Sequence, residues 1–237
     1  LIKNIINFEY RRVQKYESEI FNFFKKHSII SKFDRENINH RQNKKIIIVE
    51  NGIDTDHFQR KKNIYKKNTI IFVGNMSYRP NVIAAKFICK KILPLVEMEI
   101  KNTKVIIAGS NPNKEVKELS KLNKNIQITG FIKDIRTAYE KGTVFIAPMF
   151  IGSGLQNKLL EAMSMKIPCI TTELANRSLN ATKNEIIIAS NEHQFAKSCI
   201  KLFNKKVESL NIIENGYKFV KSKFNWEEST NKINKIL

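Results

Sequence analysis

Histidine and cysteine are scarce: four and three in 237 residues. His27, His40, His57 and His193 make no metal-ligand spacing, and none is assigned a catalytic role. Cys89, Cys169 and Cys199 lie far apart, each in an apolar segment. That excludes a disulfide framework or a zinc site and fits small core residues in a reducing compartment. No apolar run approaches membrane-spanning length. Zinc-finger and helix-turn-helix signatures are missing, and basic residues do not interleave with aromatics as on a single-strand binding platform. Short repeats and low-complexity tracts are absent as well. Glycine is also rare, eight in all, so each one is informative. Acidic residues are outnumbered, 22 against 42 Lys+Arg, for a net charge of +20. That excess favours polyanionic partners: nucleic acid, anionic headgroups or a phosphorylated substrate. The abundance of Lys, Asn and Ile everywhere offers a plainer account, a general compositional bias.

What is present is globular: 42% hydrophobic and 27% charged, enough for a core. The chain opens on Leu1 and reads as a fragment lacking an N-terminal part. A helical period covers Phe8 to Lys26, a short strand Ser28 to Phe33, and a helix capped by Asp34 runs to His40. Strands and helices then alternate. Strands are expected at 46–49, 69–74, 103–109, 126–130, 143–147, 168–172 and 186–189. Helices are expected at 81–97, 113–123, 134–141 (capped by Asp134), 155–165, 192–204, 207–223 and 227–237. Continuous apolar strands between amphipathic helices predict an α/β fold, a Rossmann-like parallel sheet with helices on both faces.

Ligands of such sheets bind at the carboxyl ends of the strands. Gly74, Gly109, Gly130, Gly152 and Gly154 all fall just after predicted strands, and Gly52 follows the first. Tight turns could explain each singly; their shared rim points to a ligand crevice. In the first loop, Gly74 lets a ligand approach the backbone, and Arg79 offers a planar fork for phosphate oxygens or a solvent-facing loop charge. The turn Thr129-Gly130-Phe131-Ile132 can read a nucleobase edge and pack on its face, or simply pack as a loop.

The richest stretch is Gly152-Ser153-Gly154-Leu155-Gln156-Asn157-Lys158-Leu159-Leu160-Glu161-Ala162-Met163. A strand, a glycine turn and a helix N-terminus make an anion site. Leu155, Leu159, Ala162 and Met163 supply the buried face. Lys158 and Glu161 share a face three residues apart. Lys158 could neutralise a diphosphate and Glu161 accept from ribose hydroxyls; the alternative is a surface ion pair. Ser153 serves equally as ligand donor or N-cap.

These residues carry a family resemblance. The chain resembles the C-terminal, donor-binding half of a GT-B glycosyltransferase of the family 4, group 1 type. The matching pieces run in order. Val49-Glu50-Asn51-Gly52-Ile53-Asp54 with Phe58 resembles the interdomain connection. Phe72-Val73-Gly74-Asn75-Met76 with Pro80-Asn81 resembles the first strand and loop, and Val105-Ile106-Ile107-Ala108-Gly109 the next. Gly130-Phe131-Ile132-Lys133-Asp134-Ile135 resembles the base-binding turn. Gly152-Ser153-Gly154, Asn157-Lys158, Glu161-Ala162-Met163 and Ile167-Pro168-Cys169-Ile170 form the strongest match. Phe224-Asn225-Trp226-Glu227 resembles the start of the helix that crosses back to the N-terminal domain.

The resemblance implies three parts: 1–44, a remnant of the acceptor domain with its linker; 45–225, the nucleotide-sugar donor domain; and 226–237, the crossover helix. It implies Lys158 and Arg79 as catalytic cations and no metal or other cofactor. Substrate contacts would come from Gly74, Asn75, Gly109, Gly130, Phe131, Ile132, Gly152, Ser153, Gly154, Leu155 and Glu161. Two positions depart from the family pattern. Ser153 stands where many relatives carry Glu, and Asn75 where Arg is common.

The expected activity is sugar transfer from a nucleoside-diphosphate sugar to a surface polysaccharide, glycoconjugate or lipid-linked acceptor. The setting expected is cytoplasmic, with contact at the inner face of an anionic membrane and no specific nucleic acid. The acceptor domain is expected to be missing, and the fragment alone to transfer little sugar. A nucleotide-sugar epimerase of the same fold and a non-enzymatic polyanion-binding module are the alternatives.

Overall fold

The computed structural model describes residues 2–60, 68–152 and 154–235. The chain begins with helix α1 (Ile2–Phe21), strand β1 (Ser28–Ile29), helix α2 (Lys32–Asn37), a 3-10 turn and strand β2 (Ile47–Ile48). Strand β3 (Thr69–Val73) is followed by helix α3 (Arg79–Phe87), a π segment (Ile88–Ile92) and helix α4 (Leu93–Glu99). Then come β4 (Lys104–Ala108), α5 (Lys114–Lys117), β5 (Ile126–Ile128), α6 (Arg136–Tyr139), β6 (Val144–Ala147) and α7 (Asn157–Ser164). The chain closes with β7 (Cys169–Thr171), α8 (Glu173–Leu179), β8 (Ile187–Ile188), α9 (Glu192–Asn204), α10 (Lys206–Lys223) and α11 (Trp226–Asn234).

Six strands form one wholly parallel sheet in the order β5-β4-β3-β6-β7-β8. Every residue of β3 is buried, so both faces of the sheet centre are covered, as the unbroken apolar strands require. Ile71 pairs with Ile106 on one side and Phe145 on the other, and all three are buried. Removing side chains of this size from water contributes roughly 1.5–3 kcal/mol each. The order reverses at β3: one half of the sheet grows outward through β4, the other through β6. Such a switch point opens a crevice at the strand carboxyl ends.

Several expectations need correcting. The single helix expected over 81–97 is three pieces. Pro94 lies in the first turn of α4, lacks an amide hydrogen and breaks the i→i−4 ladder, which the π segment absorbs. The cap of α2 is Ser31, not Asp34. Its hydroxyl accepts from the Asp34 amide and donates to the Asp34 carboxylate. Helix α6 starts at Arg136, so Ile135 takes the cap position, but the Asp134 carboxylate still accepts from the first helical amide, that of Arg136, at 3.1 Å and clamps the Arg136 guanidinium at 2.7 and 2.8 Å. Helix α8 was not expected; Thr172 caps it by accepting from the Ala175 amide.

The first fifty residues form a separate two-stranded parallel sheet, β1 with β2. His27 and His40 stack on opposite sides of Phe21 at 3.8 and 3.9 Å. At the far end, α11 folds back on the connection around Gly52. The Ile53 amide donates to the Phe224 carbonyl, the Ser229 hydroxyl to the Glu50 carbonyl, and Lys232 pairs with Glu50 at 2.9 Å. A Cβ on Gly52 would run into the Trp226 ring.

Candidate active site

The strand ladder continues past the ends of β3, β4 and β5. The Gly74 amide donates to the Ala108 carbonyl, Met76 to Ser110, and Gly109 to Gly130. These bonds hold three loops edge to edge as a floor. Gly109 has φ +132°, and a Cβ there would overlap the Gly74 carbonyl oxygen. Only glycine lets the loops meet this closely.

Above the floor lies a cleft of about 390 Å³. Gly74, Asn75, Gly109, Phe131, Ile132, Lys158 and Glu161 all line it. The structure therefore brings together seven residues drawn from four separate motifs. Val73, Asn81, Ser110 and Ile135 complete the wall.

Helix α7 supplies both charges. The Lys158 ammonium donates to Asn81 Oδ1 at 2.7 Å, approaches Gln156 Oε1 at 3.4 Å and sits 5.2 Å from the centre of the Phe72 ring. Burial draws its pKa down to about 8, with the Glu161 charge acting in the opposite direction. The Glu161 carboxylate accepts from the Tyr139 hydroxyl at 2.7 Å. Burial raises its pKa, opposed by the Tyr139 bond and the Lys158 charge. Each group thus has its own neutral partner, and the surface ion pair weighed from the sequence is not what this helix face carries. The two charges are held apart and turned to one cavity.

Other sequence candidates fall elsewhere. Arg79 opens α3 but lies outside the cleft wall, with an exposed guanidinium paired to Glu115 at 3.1 Å. Glu115 also takes Lys86, and these two cations hold its pKa below the usual carboxylate range. Gly130 lies beneath the wall, its carbonyl accepting from Gly109. Gly152 and Gly154 sit beyond the cleft with φ +114° and +82°. A Cβ on Gly152 would face Tyr78 and Pro80, and one on Gly154 would face Ile30. Leu155 is buried in the hydrophobic core, as the apolar face read from the sequence requires, and lies outside the cleft wall where the resemblance placed it. Ser153 lies outside the described residues.

Asn81 and Tyr139 escaped the sequence reading as site residues. Asn81 is 4% exposed; its amide donates to the Asn75 carbonyl while its oxygen takes Lys158. An Asn in the first turn of a helix, where its side chain competes with the backbone, is the signal that could have found it. Tyr139 looked like any other core aromatic.

Among the described residues, no cluster of His, Cys, Asp and Glu could hold a metal ion, and no helix is long and apolar enough to cross a membrane.

The comparisons with known proteins agree with this fold. Residues 67–205, more than half of the chain, match the model of the glycosyl transferases group 1 family, and the chain belongs to that family. It is 26% identical over 164 residues to an uncharacterized 44.6 kDa protein in the cps region of Klebsiella pneumoniae, covering 65% of this chain and 42% of that relative. TarM from S. aureus, in a complex that includes UDP, superposes with a TM-score of 0.78 at 14% identity, over 95% of this chain and 46% of TarM. HepE from Anabaena, solved with UDP and glucose, superposes with a TM-score of 0.79 at 11% identity, over 94% of this chain and 65% of HepE. These likenesses establish the fold, with the GT-B neighbours sharing the parallel sheet and its surrounding helices. The chain spans about half the length of the relatives it matches.

Proposed function

We propose that this chain is the donor-binding half of a glycosyltransferase that moves a sugar from a nucleoside-diphosphate sugar onto a cell-surface polysaccharide or glycoconjugate. One observation carries the reading: an ammonium and a carboxylate from one helix enter one cleft at the switch point of a parallel sheet. Lys158 offsets negative charge as the bond between the anomeric carbon and the diphosphate oxygen breaks. Preorganised charge at a departing group is the largest contribution such a site can make. Glu161 accepts from the ribose hydroxyls. The Gly74 and Gly109 backbones admit the phosphates, and Phe131 and Ile132 border the base. Gln156, the residue before α7, makes no side-chain cap; the Leu159 amide donates to the Gln156 carbonyl, which leaves the Asn157 and Lys158 amides for an anion.

Support for the nucleotide comes from the similar proteins solved with UDP, one of them with UDP-glucose. Support for the polysaccharide comes from the cps-region relative. Arg79 enters the reading as a second phosphate contact only by leaving Glu115, so Lys158 is assigned the larger share. The acceptor would be bound mainly by sequence outside this chain. The +20 charge would hold the protein against an anionic membrane on the cytoplasmic side, next to a lipid-linked acceptor.

Isothermal titration with UDP and GDP tests the reading. Saturable heat with at least one nucleoside diphosphate, well above that with inorganic pyrophosphate, is expected. Folded protein that gives no heat with either nucleotide overturns it. Equal binding of nucleotide and pyrophosphate, lost steeply with salt, would instead indicate a general polyanion surface.

A further inference from the structure

Tyr139 is among the largest side chains of the molecule with no exposed surface. It ends α6, and its ring packs 5.7 Å from the Phe145 ring in the core. Phenylalanine would fill the same space without bringing a polar group inside. A buried phenol requires a partner, and here the partner is the site. The hydroxyl donates to Glu161 Oε2 at 2.7 Å and lies 3.3 Å from the Lys158 carbonyl oxygen. One hydroxyl has one proton, and the shorter contact, to the carboxylate, takes it. Tyr139 itself is not part of the cleft wall. It reaches Glu161 from behind.

The consequence is directional. With Oε2 engaged from the core side, Oε1 is left for a ligand in the cleft. A carboxylate already accepting a hydrogen bond is held as an acceptor and offers no proton. It therefore suits a ligand that brings donors, as the two hydroxyls of a ribose do. Burial and the Glu161 charge also push the Tyr139 phenol well above its usual pKa, which keeps it a donor throughout the working range.

We propose that Tyr139 is a positioning residue that fixes the Glu161 carboxylate as an acceptor for a ribose diol and so sets a preference for ribonucleotides over 2′-deoxyribonucleotides. This rests on the proposed function, because it takes the cleft to hold a nucleoside diphosphate.

The test compares UDP with 2′-deoxy-UDP by titration calorimetry on the wild-type chain, Tyr139→Phe, Glu161→Gln and the double variant, with thermal melting to confirm folding. Wild type should prefer UDP by roughly tenfold, the scale of a hydrogen bond to a charged group. Tyr139→Phe should weaken UDP binding and bring the two affinities close together. In the Glu161→Gln background, Tyr139→Phe should change neither affinity. An unchanged UDP preference in Tyr139→Phe overturns the proposal while leaving the reading of the cleft intact. So does an equal loss in both backgrounds, which would mark a packing role. Wild-type protein that binds neither nucleotide overturns the reading of the cleft itself. Should Tyr139→Phe fail to fold, 4-aminophenylalanine in its place keeps a donor against Glu161 and must keep the preference; its loss overturns the proposal.

Discussion

Lys158 and Asn81 are joined by a 2.7 Å hydrogen bond from the ammonium to the side-chain oxygen. The same asparagine donates to the Asn75 carbonyl. One neutral side chain thus ties helix α7 to the loop after β3 and keeps a buried cation in place without neutralising it. A carboxylate at that position would do the opposite. It would satisfy the ammonium and repel a phosphate.

The first prediction concerns the cation. Lys158→Met should lower the affinity for a nucleoside diphosphate by about tenfold to a hundredfold, since hydrogen bonds to charged groups contribute roughly 1.5–3 kcal/mol. Stability should change little. Replacing a buried ion with an apolar chain of similar length removes a desolvation cost, while Asn81 Oδ1 loses its donor. Calorimetric titration together with thermal melting checks both halves. Undiminished affinity would remove Lys158 from the site.

The second concerns pH. Burial places the Lys158 pKa at about 8. Below that pH the group is charged; above it the free protein has lost the proton, and binding an anion must take it back up. Affinity should therefore fall as pH rises past 8, approaching about tenfold per pH unit. Titrations in two buffers of different protonation enthalpy should show proton uptake near pH 8.5. Affinity that stays flat from pH 7 to 9.5 contradicts the assignment.

The third turns on Asn81. In Asn81→Asp a negative charge faces Lys158, which raises the lysine pKa. The alkaline fall in affinity should move to higher pH, while affinity at pH 7 drops because the new carboxylate competes with phosphate. If both quantities match wild type, the Asn81 contact has no electrostatic consequence.

The fourth contrasts two glycines. Gly109→Ala combines positive φ with overlap against the Gly74 backbone, and should cost about 3 kcal/mol or more. Gly130→Ala, at φ +69° with nothing within 4 Å of a Cβ, carries only the backbone strain, about 1–2 kcal/mol. Urea unfolding ranks them, and an equal loss would mean that loop contact is not a constraint at position 109.

Much of the fold was legible because buried parallel strands must be apolar along their whole length. Ile70-Ile71-Phe72-Val73 and Val144-Phe145-Ile146-Ala147 read as strands for that reason, and they are strands. Element ends were less legible. Caps depend on which side chain turns toward the amides, as Ser31 rather than Asp34 shows. The start of α7 slipped by two residues, because a glycine turn marks where a helix can begin and not where the chain first adopts helical angles.

By itself the sequence determined the parallel α/β architecture, the place of Gly74 and Gly109 at the strand ends and the placing of Lys158 and Glu161 on one helix face. All three rest on local periodicity and spacing. Only the tertiary structure decided that Arg79 turns to Glu115, that Asn81 holds the ammonium and that Tyr139 stands behind the carboxylate. Those contacts join residues 77, 36 and 22 positions apart. Their partners are chosen by how the strands stack in the sheet, which no local pattern encodes.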